Sequence, residues 1–243
     1  MPAVPVPSSR RTDGRQARWD KHNLERRQTI LDAAVAVIED GEPSAEVHVQ
    51  QIAERAGLSR TVVYRHFNDR ADLDRAVQTE ILESLWADLL PNVTLDGTIP
   101  QIVERIVASY VGWAVAHPAL HKLAELDTSH DGTGPLQQGI ERIAEQVAAL
   151  IVTAVDALAL ELTDEERAAI DPLVFGLVGA VFGAVRRWMS KPERVPSAHV
   201  LVELTTQSVW HILRGHAETL GLVLPPDVPI EELLAASPVQ EIS

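Results

Sequence analysis

The segment Gln50 to Phe67, QQIAERAGLSRTVVYRHF, constrains the fold more than any other stretch of the 243 residues. Ile52 and Ala53 give a first short helix an apolar face, and Gly57 supplies the left-handed conformation through which the chain leaves it. Ser59 is placed as the N-cap of a second short helix. The small Ala53 permits a close crossing of the two. On the second helix Val63 and Phe67, four apart, face inward, which turns Arg60, Thr61, Tyr64 and Arg65 outward. The predicted unit is a helix-turn-helix with a basic, hydroxyl-bearing outer face, suited to base edges and phosphates in a major groove.

The rest of the chain reads as helix after helix. A first one, about Lys21 to Glu39, repeats Leu24, Leu31, Val35 and Ile38 and stops at Gly41 and Pro43. Asp69 with Asp72 resembles a capping box and opens a long helix carrying Leu73, Val77, Ile81, Leu85 and Leu89 at spacing four, ended by Pro91. Ile99 to Ala116 follows, broken at the His117–Pro118 step because the residue before proline avoids helical dihedrals. A short helix is expected from Pro118 to Leu126, then a loop, Asp127 to Pro135. Leu136 to Leu160 shows a stripe of Leu136, Ile140, Ile143, Val147, Leu150, Ala154 and Leu158. Thr163 and Glu166 form a capping box for a helix to about Met189, and the last long helix spans Ser197 to Leu220 before Gly221. Residues 1–20 mix Pro, Ser, Arg and Gly without an apolar period and read as a mobile basic arm. The tail after Gly221 holds at most one turn of helix. No strand pattern or internal repeat emerges.

The ordered set Ile52-Ala53, Ala56-Gly57-Leu58-Ser59, Tyr64, Phe67 and Leu73, within Arg27 to Leu85, resembles the TetR family of transcriptional regulators. The resemblance implies an all-α fold. An N-terminal three-helix domain with the helix-turn-helix is joined by a long helix to a C-terminal helical ligand-binding and dimerisation domain. The divisions expected are a flexible arm at 1–20, the DNA-binding domain at 21–68, the helical domain at 69–224 and a tail at 225–243. Carried over position by position, base reading falls on Gln50, Arg60 and Thr61, and phosphate contact on Tyr64, His66 and Arg70; Ser59 and Arg65 complete the expected DNA face. His48 stands where threonine is common and caps poorly, and Val62 replaces another frequent threonine.

The resemblance also implies a homodimer bound to a pseudo-palindromic double-stranded operator and released by a small, apolar effector. Gly176, Gly179, Ala180, Gly183 and Ala184 set a stripe of small residues along the penultimate helix, where the family dimerises. Trp188, Trp210 and Leu213 are the expected large anchors of that interface. The alternative for the stripe is tight packing inside one subunit. Trp86, Tyr110, Trp113 and Phe175 are candidate walls of a ligand pocket, or plain core.

Composition narrows the remaining classes. With no cysteine there is no disulfide, thiol nucleophile or cysteine zinc site, which allows a cytoplasmic setting. His117, His121 and Glu125 repeat at four, but Pro118 breaks the face they would share, so no metal or other cofactor is expected. The cluster Asp164, Glu165 and Glu166 suits a helix N-terminus better than acid-base chemistry. The apolar run Pro172 to Val185 falls short of ~20 residues and reads as a buried helix, so no membrane partner is expected. No phosphate loop, nucleophile elbow or catalytic triad appears, which places an enzyme last. A helical small-molecule binder that has lost operator reading is a second alternative. The formal charge of −14, taken over the whole chain, counts against nucleic acid. However, residues 1–75 hold twelve basic and twelve acidic side chains, whereas 76–243 hold nine and twenty-three, so the acidic excess belongs to the second domain.

Overall fold

The protein is described by a computed structural model for residues 10–41, 46–125, 134–158 and 160–236. Among these residues there are helices and no strands. The N-terminal helices are α1 (Arg10–Asp40), α2 (Val49–Arg55), α3 (Arg60–His66) and α4 (Arg70–Leu89), the last followed by a 3-10 turn at Leu90–Asn92. Then come α5 (Ile99–Ala116), α6 (Pro118–Ala124), α7 (Pro135–Ala157), α8 (Asp164–Met189), α9 (Ala198–Thr219) and α10 (Ile230–Ala236). The chain divides into two compact units, one ending at Val77 and one beginning at Gln78, with the division inside α4.

The first unit is built around Ile30, Ala34, Ile52, Ala53, Val63 and Leu73, each no more than 2% exposed. Helix α1 starts at Arg10, so the expected arm is helical from there on, and residues 1–9 and Pro43 lie outside the described residues. Arg, Gln and Ala between 10 and 20 are good helix formers, and extending an existing helix is cheap compared with nucleating one. Leu24 is 67% exposed, so the buried stripe of α1 begins at Ile30 and not one turn and a half earlier. At the start of α4 the Asp72 amide donates to Asp69 Oδ1 at 2.7 Å, one half of the expected box, while Asp72 itself accepts from the Asn68 amide at 2.9 Å.

In the second unit α5 packs chiefly on α9 and α7 on α8. Caps fix the helix starts: the Gln101 amide donates to Thr98 Oγ1, and at α8 Thr163 and Glu166 bond reciprocally. The face of α7 differs from the expected stripe. Ile143 is buried, but the contact runs through Gly139, Ala144, Ala148 and Val155, because small side chains let α7 approach its neighbours closely. The loop expected at 127–135 falls mostly on residues outside those described.

Helix α8 corrects a second expectation. Its apolar segment extends past Asp171 to Ala168, and among the described residues it is the one helix long and apolar enough to cross a membrane. Only 11% of that segment is buried within the chain, so it is not the core helix predicted. The tail also holds more helix than expected. Helix α10 makes two turns, docked by Ile230 N–H to Gly97 O and by Gly97 N–H to Glu231 Oε1, both at 3.0 Å.

Candidate nucleic-acid interface and helical-unit cavity

The turn between α2 and α3 is closed by two amides. Leu58 N–H donates to Ala53 O at 2.8 Å and Gly57 N–H to Glu54 O at 3.1 Å, with Gly57 at φ +65°. This is the glycine-terminated helix end that the sequence spacing requires. Val63 and Phe67 anchor α3 inward at 0% and 1% exposure, which fixes the opposite face as the outer one.

A second fastening comes from α1. Arg27 Nη1 donates to the His66 carbonyl at 2.8 Å, and its guanidinium lies 4.2 Å from the Phe67 ring centroid. One side chain thus satisfies a carbonyl at the end of α3 and stacks on the residue that anchors it. No local pattern announces this pair, since 39 residues separate the partners.

On the outer face, His48, Val49, Gln50, Arg60, Tyr64 and Arg70 line one open cleft, so four of the expected DNA contacts come together. Ser59, Thr61 and Arg65 are exposed beside it on the same short helix or its cap. The Arg60 guanidinium sits 5.5 Å from the Tyr64 ring centroid, one turn away. Two acids restrain the cleft: Gln50 Nε2 donates to Glu54 Oε1 at 2.7 Å, and Arg70 Nε reaches both Asp74 oxygens at 2.8 Å. Both are pairs at i,i+4, a spacing readable in the sequence. A phosphate at Arg70 must share or displace Asp74.

Two site residues differ from expectation. Ser59 holds the extended N-cap backbone of α3, yet its hydroxyl makes no capping bond; at the start of α2, where His48 is the N-cap, Gln51 Oε1 accepts the His48 amide at 2.7 Å. His66 has its imidazole held below the ordinary 6.5 by burial and then by Arg26 and Arg27. It therefore adds no cation to the outer face at neutral pH, and it does not line the cleft.

The second unit contains an apolar cavity of about 110 Å³ with walls from α4, α5, α7, α8 and α9. Of the four aromatic residues expected there, Tyr110 lines it. Trp86 and Trp113 are buried core, at 2% and 5% exposure, and Phe175 packs on Ala144, Ala148 and Val174. The aromatic wall residue missed in the sequence is Phe182, whose ring centroid is 4.3 Å from that of Tyr110. Behind Tyr110 its Oη lies 3.0 Å from His121 Nε2, with Glu125 Oε1 3.4 Å from the same nitrogen. Burial and then Arg194 push His121 down to about 4, burial raises Glu125 to about 7 against the pull of Arg186, and burial holds the Tyr110 phenol un-ionised. Among the described residues no group of three His, Asp or Glu is arranged to hold a metal ion.

Along α8, Gly176, Ala180 and Gly183 are exposed, and a side chain at Gly176, Gly179 or Gly183 would meet open space. The stripe is therefore not tight packing inside the subunit. Trp188 and Trp210, expected as interface anchors, are instead inward, at 6% and 8% exposure, with Trp188 Nε1 donating to Pro196 O at 2.8 Å. Leu213 lines the cavity. The apolar side chains that do face outward include Leu173 on α8 and Leu204 and Ile212 on α9, 44–51% exposed. A large residue on a helix with two apolar faces gives no sign in the sequence of which face it occupies.

Two short helices turned by a glycine, with a cationic outer face and a separate helical unit downstream, define a helix-turn-helix DNA-binding regulator. Residues 30–77 match the family described as bacterial regulatory proteins, tetR family. An uncharacterised HTH-type transcriptional regulator of Mycobacterium tuberculosis (strain ATCC 25618 / H37Rv) is 27% identical over 226 residues, 91% of this chain and 89% of that protein. A crystal structure of a TetR-family transcriptional regulator from Streptomyces coelicolor superposes with a TM-score of 0.58 at 17% identity, over 87% of this chain and 92% of that one. RolR in complex with resorcinol gives 0.56 at 14% identity, over 92% and 99%. Residues 30–77 are thus a DNA-binding segment of the tetR type, and over nine-tenths of its length the chain is similar to an HTH-type transcriptional regulator.

Proposed function

We propose that this regulator is a cytoplasmic repressor that binds a pseudo-palindromic operator as a homodimer and leaves it when a small apolar effector enters the second unit. One observation carries the reading: α4 begins with Arg70 in the cleft of the reading face and ends with Leu89 in the cavity wall. An effector that prefers one shape of the cavity shifts the population of α4 positions, and only some positions suit half-sites spaced at multiples of ~34–36 Å. Arg60, Thr61 and Gln50 are assigned to base edges; Ser59, Tyr64, Arg65, His66 and Arg70 to the backbone of the DNA. The outward small-residue stripe of α8, with Leu173, Leu204 and Ile212, supports a second copy of the chain as the partner, since an apolar helix left uncovered favours association.

The test is selection of bound sequences from random DNA, followed by affinity against salt and sedimentation of the complex. An enriched inverted repeat, a steep fall in affinity with salt and two chains per site are expected. Equal binding to random and selected DNA, or a single chain per site, would remove the reading.

A further inference from the structure

The cavity has an unusual construction. Few contacts join the α5–α9 layer to the α7–α8 layer, and the cavity lies between them. Val107 and Leu213 face it from one layer, Val147 and Val178 from the other. Among the described residues Tyr110 and Phe182 are its only aromatic walls, and their rings stand against each other, 4.3 Å between centroids, instead of leaving two faces to sandwich a planar ligand. No polar surface reaches the interior, because the Tyr110 hydroxyl is turned to His121.

We infer that the cavity takes a neutral ligand with an unbroken aliphatic body, whose single polar group stays at the open side. This deepens the ligand-responsive reading and rests on it. A second polar group inside would leave water with no partner to receive it, a large penalty in an apolar enclosure. Size sets the consequence. At about 110 Å³ the cavity is smaller than the ~150 Å³ apolar hole that admits one benzene. An alkyl chain therefore enters only by parting the two layers, so the filled and empty states differ in shape, as a population shift requires. Trp86 of α4 is positioned to follow that movement. Its indole lies on the backbone of Gly139 in α7, where a Cβ has no room, and 6.2 Å from the Phe182 ring centroid in α8. Helix α4 is thus seated on the α7–α8 layer.

The experiment is calorimetric titration of the full chain with 1-octanol and with 1,8-octanediol, over a range of temperatures. Expected are octanol binding with a negative heat-capacity change, at least tenfold weaker binding of the diol, and tenfold loss of octanol affinity in Val178→Phe. Val147→Phe repeats the last arm from the other helix if Val178→Phe does not fold. Diol binding as tight as octanol, or unchanged octanol affinity in a folded filling variant, overturns the inference. The two readings fail separately. Octanol that binds this cavity without weakening a selected operator leaves the inference standing and removes the effector role. Release by a polar molecule that ignores the filling variants does the reverse.

Discussion

The two units solve opposite problems with the same helical material. The first is filled: Ile30, Ala34, Ala53, Val63 and Leu73 are 0% exposed, the glycine turn is closed by two amides, and Arg27 ties α1 to the end of α3. The second is hollow between layers and leaves an apolar helix outside. The difference teaches what each needs. Reading base edges demands side chains held to within fractions of an ångström, and the buried core, the closed turn and Arg27 all hold α3 from beneath. The ligand response proposed for the second unit demands two arrangements of similar energy, and a gap between weakly joined layers suits that demand.

The largest expected effect tests that contrast directly. Phe67→Ala removes a filled core residue and should cost ~3–5 kcal/mol, whereas Val178→Ala, at the half-buried wall of an existing cavity, should cost about 1 kcal/mol or less. Hydrogen exchange followed unit by unit checks this. Equal losses at the two sites would erase the distinction between filled and hollow.

The next contrast lies between glycines. Gly139→Ala drives a methyl group into the Trp86 indole and should destabilise by ~1–3 kcal/mol. Gly179→Ala meets open space in one chain and should raise helix stability by up to ~1 kcal/mol, while sedimentation shows weaker association if that stripe is the dimer contact. A stable, fully dimeric Gly179→Ala would move the interface elsewhere.

Within the reading unit, Arg60→Ala should remove ~1–3 kcal/mol of discrimination at one base position, and Tyr64→Phe should weaken all sequences alike. Competition against single-base operator variants separates them. Identical specificity profiles for the wild type and Arg60→Ala would sink the assignment of Arg60 to a base.

The smallest effect concerns pH and is confined to the second unit. His121 is lowered from 6.5 to about 4, so between those values the unfolded chain holds the extra proton and stability climbs as pH rises. Glu125 is raised from 4.5 to about 7, so over that interval the folded chain holds the extra proton and stability falls as pH rises. The two oppose each other from 4.5 to 6.5, giving a nearly flat wild-type profile. In Glu125→Gln the fall is gone, and denaturant midpoints should climb between about pH 4 and 6.5. A flat profile in that variant would mean that His121 is not the buried neutral group described.

Local rules reached far along this chain. The left-handed Gly57, the inward Val63 and Phe67, the buried Leu73, Val77, Ile81, Leu85 and Leu89 on α4, and the Thr163–Glu166 box all depend on neighbours within a turn or two, so spacing suffices to read them. The same holds for the family resemblance, which rests on one ordered stretch. Arg60 and Tyr64 were legible on the outer face of α3 for this reason, since a helix of two turns with Val63 inward and Phe67 anchoring its end has one outer face left.

Other features depend on what packs where. The apolar stripe of α7 could have turned either of two adjacent faces inward, and the fold chose the one with Gly139, Ala144 and Ala148 because α7 lies close to its neighbours. Trp188 and Trp210 carry area enough for either core or interface, and their placement inside follows from contacts such as Trp188 to the Pro196 carbonyl. Arg27 finds the end of α3 across 39 residues. The sequence by itself determined an all-helical chain with a helix-turn-helix of defined outer face, because helix period, caps and turns are short-range. Only the tertiary structure decided which apolar residues are core, wall or outer surface, because burial is a property of the space between helices and that space is set by every helix at once.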